Sequence, residues 1–142
     1  MGKMKRKYLI VTHKTLAAGF EDTLNFFTNN RENIIAISSY ENGENSFPKD
    51  KVESVIKNIP NNSQLFIFTD LLGGSVNQKC SQYVYNENVI VITGINLALV
   101  LSLVLEPEGN IPLMKIQKII NDAKKQMVLM NTYLNNNTES DE

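Results

Sequence analysis

A single histidine, one aspartate and one glycine pair stand where they can do chemistry together. His13 is the only histidine of the chain and closes the short apolar run Tyr8-Leu9-Ile10-Val11-Thr12. Asp70 closes a second apolar run, Gln64 to Thr69, and leads into Leu71-Leu72-Gly73-Gly74-Ser75. A third run, Val89 to Thr93, delivers Gly94-Ile95-Asn96. A carboxylate that accepts a hydrogen bond from one imidazole nitrogen fixes the tautomer and leaves the other nitrogen as a nucleophile. It also stabilises the positive charge that develops on the ring as an electrophile is attacked. Paired glycines ahead of a helix let backbone N–H groups approach an anion, and Ser75 adds a hydroxyl. The set suits a phosphoryl group carried on His13, with Asp70 orienting the ring and Gly73, Gly74 and Ser75 binding the anion. No G-x-x-x-x-G-K pattern is present, so a magnesium-bound nucleoside triphosphate is not the expected donor.

These residues need a scaffold that brings strand ends together. Tyr8 to Thr12, Ile34 to Ser38, Gln64 to Thr69 and Val89 to Thr93 are short, apolar and rich in β-branched residues, the pattern of buried parallel strands. Helical segments alternate with them. Leu16, Phe20, Leu24 and Phe27 recur at helical spacing behind a candidate N-cap, Thr15. Val52, Val55, Ile56 and Ile59 line one face of a helix starting near Pro48, and a third helix runs from the glycine pair to about Tyr85. Asn96 to Leu105 is apolar nearly all round and reads as a buried helix ended by Pro107. Ile116, Ile119, Ile120, Ala123 and Met127 mark a last amphipathic helix. This alternation predicts an α/β fold, an open and mainly parallel doubly wound sheet with right-handed crossovers. In such sheets ligands bind outside the carboxyl ends of the strands, near the point where strand order reverses. Thr12-His13-Lys14, Thr69-Asp70 and Thr93-Gly94-Ile95-Asn96 fall at those ends, whereas the second strand ends only in Ser38-Ser39-Tyr40.

Each signal also has an ordinary structural reading. A lone histidine often only packs or solvates, Gly-Gly before a helix is common turn chemistry, and Asp at a strand–helix junction is a frequent N-cap. Lys14 reads as a solvated charge and Cys80 as a small buried hydrophobe.

Composition narrows the class. The chain has 142 residues and 16.0 kDa, one domain's worth. Lys and Arg total 14 against 15 Asp and Glu, a formal charge of −1, which excludes the basic footprint of a dedicated nucleic-acid binder. One cysteine excludes a disulfide framework and any multi-thiolate zinc site, and neither a metal nor a cofactor is expected. The longest apolar run, Leu97 to Leu105, is interrupted by Ser102 and falls short of the about 20 residues that span a bilayer. The N-terminus, Met1-Gly2-Lys3-Met4-Lys5-Arg6-Lys7, is basic, but Tyr8 to Val11 is too short for a signal-peptide core. Arg6 stands where myristoylation requires Ser or Thr. The expectation is a soluble cytoplasmic domain over residues 1–134, followed by a disordered polar tail over 135–142.

Val11-Thr12-His13, Phe68-Thr69-Asp70-Leu71-Leu72-Gly73-Gly74-Ser75 and Thr93-Gly94-Ile95-Asn96-Leu97 together resemble the signature blocks of the mannose-family IIA component of the bacterial sugar phosphotransferase system. The resemblance covers roughly residues 8 to 133. It implies that His13 accepts a phosphoryl group from the phosphohistidine of the carrier protein HPr and passes it to a histidine-bearing IIB component. It implies that Asp70 orients His13, and that Ser75 and neighbouring amides stabilise the transferring group. Thr12, Lys14, Leu71 and Asn96 lie in or beside the blocks as accessory candidates. The IIB component is expected on a separate chain, with the membrane components IIC and IID engaged only indirectly. The resemblance also implies a homodimer that exchanges a C-terminal antiparallel edge strand. On the residues alone, Met127 to Tyr133 is open between helix end and edge strand. Because Val128, Met130 and Leu134 fall off the Ile116–Ile119–Ala123 stripe, the exchanged strand is the expected form.

The chain departs from the family pattern in three places. Lys14 replaces the usual glycine after the histidine, Val76-Asn77-Gln78 replaces Pro-Phe-Asn, and Asn96-Leu97-Ala98 lacks a common proline. The phosphoryl-relay subunit of a dihydroxyacetone kinase is an alternative of the same fold, although its turn resembles Met-Gly-Ser. A non-catalytic regulatory module that holds a small anion is the alternative from another class.

Overall fold

A computed structural model describes residues 5–29, 32–40 and 47–140, with side chains through Asn135. Met1 to Met4 lie outside the described residues, whereas Lys5, Arg6 and Lys7 of the basic N-terminal stretch lie in β1. The elements run β1 (Lys5–His13), α1 (Leu16–Thr28), β2 (Ile34–Ser39), α2 (Lys49–Lys57), β3 (Ser63–Thr69), α3 (Ser75–Ser81) with a 3-10 turn over Gln82–Tyr85, β4 (Val89–Ile92), α4 (Leu97–Val104), α5 (Leu113–Lys124) and α6 (Met130–Ser140).

The four strands are parallel and ordered β2-β1-β3-β4. The chain therefore steps from β1 to one side, then crosses to the other, and strand order reverses between β1 and β3. β3 is buried along its whole length, which explains why it reads as a continuous apolar run rather than an alternating one. Successive residues still point to opposite faces. Tyr8, Ile10, Phe66, Phe68 and Ile92 pack beneath α1, α4 and α5, while Leu9, Val11, Ile37, Leu65 and Ile67 pack with Val52 of α2 and Val76 and Cys80 of α3. Burying each such side chain contributes about 1.5–3 kcal/mol. The Tyr8, Phe66 and Phe68 rings stack with centroids 5.8 to 6.4 Å apart, adding aromatic contact to the first of these layers. Cys80 is fully buried, and that burial pushes its thiol up to about 12. It is an inert core residue.

The edge of the sheet away from the strand ends is tied by two side chains. The Arg6 guanidinium donates to the carbonyls of Glu106 (2.6 Å), Pro107 (2.8 Å) and Gly109 (2.8 Å), and its Nε donates to the Tyr8 hydroxyl (2.8 Å). Gln64 exchanges two hydrogen bonds with the Ile111 backbone, both at 2.9 Å. Loop carbonyls past the end of α4 are thereby satisfied, so α5 docks at a fixed distance.

The C-terminal segment corrects the sequence reading. The expected edge strand over Met127–Tyr133 is absent from the sheet. Met127 to Leu129 have no regular structure, and α6 begins at Met130, its first turn closed by Tyr133 N–H donating to Leu129 O at 2.9 Å. A helix closes its hydrogen bonds turn by turn, whereas a strand depends on another strand's edge, and in the single chain the local solution is adopted. The polar stretch expected as a tail continues α6 to Ser140, and residues 141–142 lie outside the described residues. Met127, placed by its spacing on the last amphipathic helix, lies beyond the end of α5 and is exposed.

Candidate functional site

β1 delivers His13 at the reversal point, on the same face as Leu9 and Val11. β3 ends one residue before Asp70, and the β1·β3 register, with Val11 opposite Thr69, brings the two side chains together. His13 Nδ1 lies 2.9 Å from Asp70 Oδ2, and the His13 backbone N–H donates to the same oxygen at 2.8 Å. The second carboxylate oxygen accepts from Leu71 N–H at 3.0 Å. Asp70 therefore caps no helix. Burial would raise its pKa, but the His13 backbone N–H, the His13 ring and Asp70's own backbone N–H outweigh burial and hold the carboxyl below its ordinary value. An ionised Asp70 accepts only, so the proton of the neutral imidazole sits on Nδ1 and the lone pair on Nε2.

That free nitrogen faces the glycine turn. Ser75 Oγ lies 3.3 Å from His13 Nε2. Gly73 holds a left-handed φ of +79°, which favours glycine, and Gly74 passes so close that a side chain there would meet Leu71 at 3.2 Å and His13 Cε1 at 3.6 Å. Gly74 N–H donates to Leu71 O at 3.0 Å and Gly73 O accepts from Gln78 Nε2 at 2.8 Å. The turn therefore uses those groups on itself, and the Gly74 amide is not offered to an anion. Leu71 and Leu72, between Asp70 and the glycine pair, are both exposed.

The accessory candidates divide. Lys14 is at the site, in left-handed backbone (φ +52°), with Nζ donating to Tyr40 O at 2.6 Å. Thr12 is buried on the opposite face of β1 from His13, and its Oγ1 accepts from Ala17 N–H at 2.7 Å at the start of α1. Asn96 is the N-cap of α4. Its Oδ1 accepts from Leu99 N–H at 2.8 Å and its Nδ2 donates to Ala123 O at 3.1 Å, so both ends of the amide serve helix packing. An Asn directly before a buried helix is the signal of a cap, and that signal governs here.

Tyr40 is the site residue that the sequence reading passed over. It follows β2 directly, and the pairing of His13 with Ser39 sets it beside the histidine. Its ring stacks on the imidazole with centroids 5.5 Å apart and planes at 27°, and its hydroxyl lies 2.9 Å from Ser75 Oγ. Its position at a strand end on the ligand edge was the available signal.

Among the described residues no group of three His, Cys, Asp or Glu side chains could hold a metal ion, and no helix is long and apolar enough to cross a membrane.

The chain is similar in fold to a protein from Klebsiella pneumoniae described as a phosphoenolpyruvate-dependent sugar phosphotransferase system permease, at 21% identity and TM-score 0.78, covering 94% of this chain and 97% of that one. It is similar to the phosphotransferase-system IIA protein associated with the fucose utilization operon of Streptococcus pneumoniae, at 24% identity and TM-score 0.68, covering 94% and 99%. A mannose/sorbose-specific IIA subunit from Enterococcus faecalis matches at 16% identity and TM-score 0.70, covering 89% and 95%. No curated protein sequence matches significantly. The family model of the PTS system fructose IIA component, EIIA-man, matches residues 7–124, a span that holds His13, Asp70 and Ser75, and the chain belongs to that family.

Proposed function

We propose that this IIA component relays a phosphoryl group through His13 Nε2, taking it from the phosphohistidine of HPr and handing it to a histidine of a separate IIB component that serves sugar uptake. The observation that carries the reading is the Nδ1–Asp70 contact of 2.9 Å, which leaves Nε2, on the side of Ser75, as the lone-pair nitrogen. As Nε2 attacks phosphorus, the N–P bond of the donor breaks and the Nε2–P bond forms. The ring gains positive charge, and Asp70 stabilises it without taking the Nδ1 proton. Ser75 Oγ, 3.3 Å from Nε2, is placed to donate to a phosphoryl oxygen. No metal or cofactor takes part, and the work is done in the cytoplasm. The reading also includes a homodimer in which the C-terminal segments of two copies cover each other, because Met127, Leu129, Met130, Tyr133 and Leu134 are all exposed in one chain.

The test is incubation with phosphorylated HPr. Acid-labile label should appear on His13 and pass on to a IIB protein, and His13→Ala should remain folded and unlabelled. Label retained in His13→Ala would overturn the mechanism. A folded wild-type protein that binds phosphate but never forms phosphohistidine would favour the anion-binding module.

A further inference from the structure

We propose that Tyr40, stacked on the His13 ring, is a positioning residue for phosphoryl transfer that sets the direction in which the Ser75 hydroxyl points its hydrogen. The inference rests on the reading of His13 as the phosphoryl carrier.

The Asp70 contact holds the imidazole by one nitrogen, and a ring held at one edge can still tilt. The Tyr40 ring, stacked at 5.5 Å and 27°, closes off that tilt. The backbone that carries the Tyr40 ring is itself held. Lys14 Nζ donates to the Tyr40 carbonyl at 2.6 Å, Lys14 N–H donates to Ser39 O at 2.8 Å, and Lys14 and Tyr40 both occupy left-handed backbone, at φ +52° and +61°. Two non-glycine residues in that region, tied to each other, form a fixed corner rather than a loose loop.

The hydroxyl argument is a matter of counting hydrogens. Ser75 Oγ carries one, and it has two neighbours: His13 Nε2 at 3.3 Å and Tyr40 Oη at 2.9 Å. Nδ1 is engaged with Asp70, so Nε2 can only accept. A Ser75 hydrogen aimed at Nε2 occupies the lone pair that must attack phosphorus. Aimed at Tyr40 Oη, it leaves that lone pair free, and the shorter contact is the one to Tyr40. Once Nε2 carries the phosphoryl group it no longer accepts. Ser75 then turns its hydrogen to a phosphoryl oxygen while Tyr40 O–H donates to Ser75 Oγ. No proton changes owner in either step. Only two hydroxyls rotate as the donor's N–P bond breaks and the Nε2–P bond forms.

Single-turnover transfer from phosphorylated HPr, measured for wild type, Tyr40→Phe, Ser75→Ala and the double variant, tests this. Tyr40→Phe keeps the stacked ring and loses one neutral hydrogen bond, so transfer at saturating HPr should fall about three- to tenfold while half-saturation stays fixed. In the Ser75→Ala background the same change should have no further effect, because the phenol acts through Ser75. The 15N shift of His13 Nε2 should move in Tyr40→Phe while Nδ1 stays, a readout that needs no partner protein. Wild-type transfer rates in Tyr40→Phe, or an equal loss in both backgrounds, would overturn the proposal and leave His13 as carrier. A wild-type protein that takes no label on His13 would overturn both.

Discussion

Asp70 Oδ2 accepts from His13 twice, from the backbone N–H at 2.8 Å and from ring Nδ1 at 2.9 Å. The same oxygen thus fixes where β1 ends and how its last side chain is turned. Strand geometry and nucleophile orientation are one constraint, which is why a single carboxylate can serve both.

Replacing Asp70 with Asn separates charge from shape. The amide keeps the volume but removes the charge that opposes the developing imidazolium, and it permits the other tautomer. Transfer from HPr should slow by about 10² to 10⁴ with the fold retained. Rapid-quench kinetics beside circular dichroism check it, and unchanged rates would leave Asp70 a purely structural acceptor.

Asp70 also predicts an acid-sensitive share of stability. Its folded pKa lies below the unfolded carboxyl value, about 3.9, so the folded state binds this proton less readily than the unfolded one. The stabilisation is fully present above that unfolded value and is lost as pH falls through the lowered folded one. Urea unfolding of wild type and Asp70→Asn should therefore differ by a constant amount near neutrality. The gap should close below about pH 4. A gap that widens on acidification would reverse the sign.

Lys14 sits at φ +52°, in the left-handed region that favours glycine. Lys14→Gly and Lys14→Ala both lose the Nζ contact to Tyr40 O, but only alanine retains a Cβ in left-handed backbone. The glycine variant should be the more stable of the two by about 1 kcal/mol. Denaturant midpoints decide it, and an alanine variant of equal stability would mean that the backbone is relaxed there.

The C-terminal segment predicts a size change. Removing residues 126–142 takes away Met127, Leu129, Met130, Tyr133 and Leu134, and should convert a dimer to monomer. Removing residues 135–142 should leave the dimer intact. Sedimentation at micromolar concentration separates the outcomes, and a full-length monomer would remove the dimer from the reading.

Much of the scaffold is legible because β3 is buried on both faces and must be apolar throughout, while helices such as α5 must be apolar at one spacing only. His13, Asp70 and Ser75 are legible for a related reason, since each lies at a strand end or at the helix start that a glycine turn sets. Tyr40 is harder to see. Its role depends on the β1·β2 register and on a left-handed corner, neither of which a tyrosine announces. Asn96 misleads because one residue type signals both a cap and a ligand, and the cap prevails. At Met127 to Leu134 the apolar composition does not discriminate between helix and strand. The choice there turns on whether a neighbouring edge is available, which is a property of the assembly and not of the segment.

The pairing of Val11 with Thr69 has a use beyond holding the sheet. Side chains alternate along β1, so a slip of one residue would turn Leu9 and Val11 out of the layer they share with α2 and α3 and turn His13 away from Asp70 all at once. A chain misaligned in this way can stay compact and helical by spectroscopy, yet it holds no oriented imidazole. Under the proposed relay, chemical competence therefore proofreads the pairing: the fraction of a refolded sample that accepts label should count the molecules whose central strands have found the right partners.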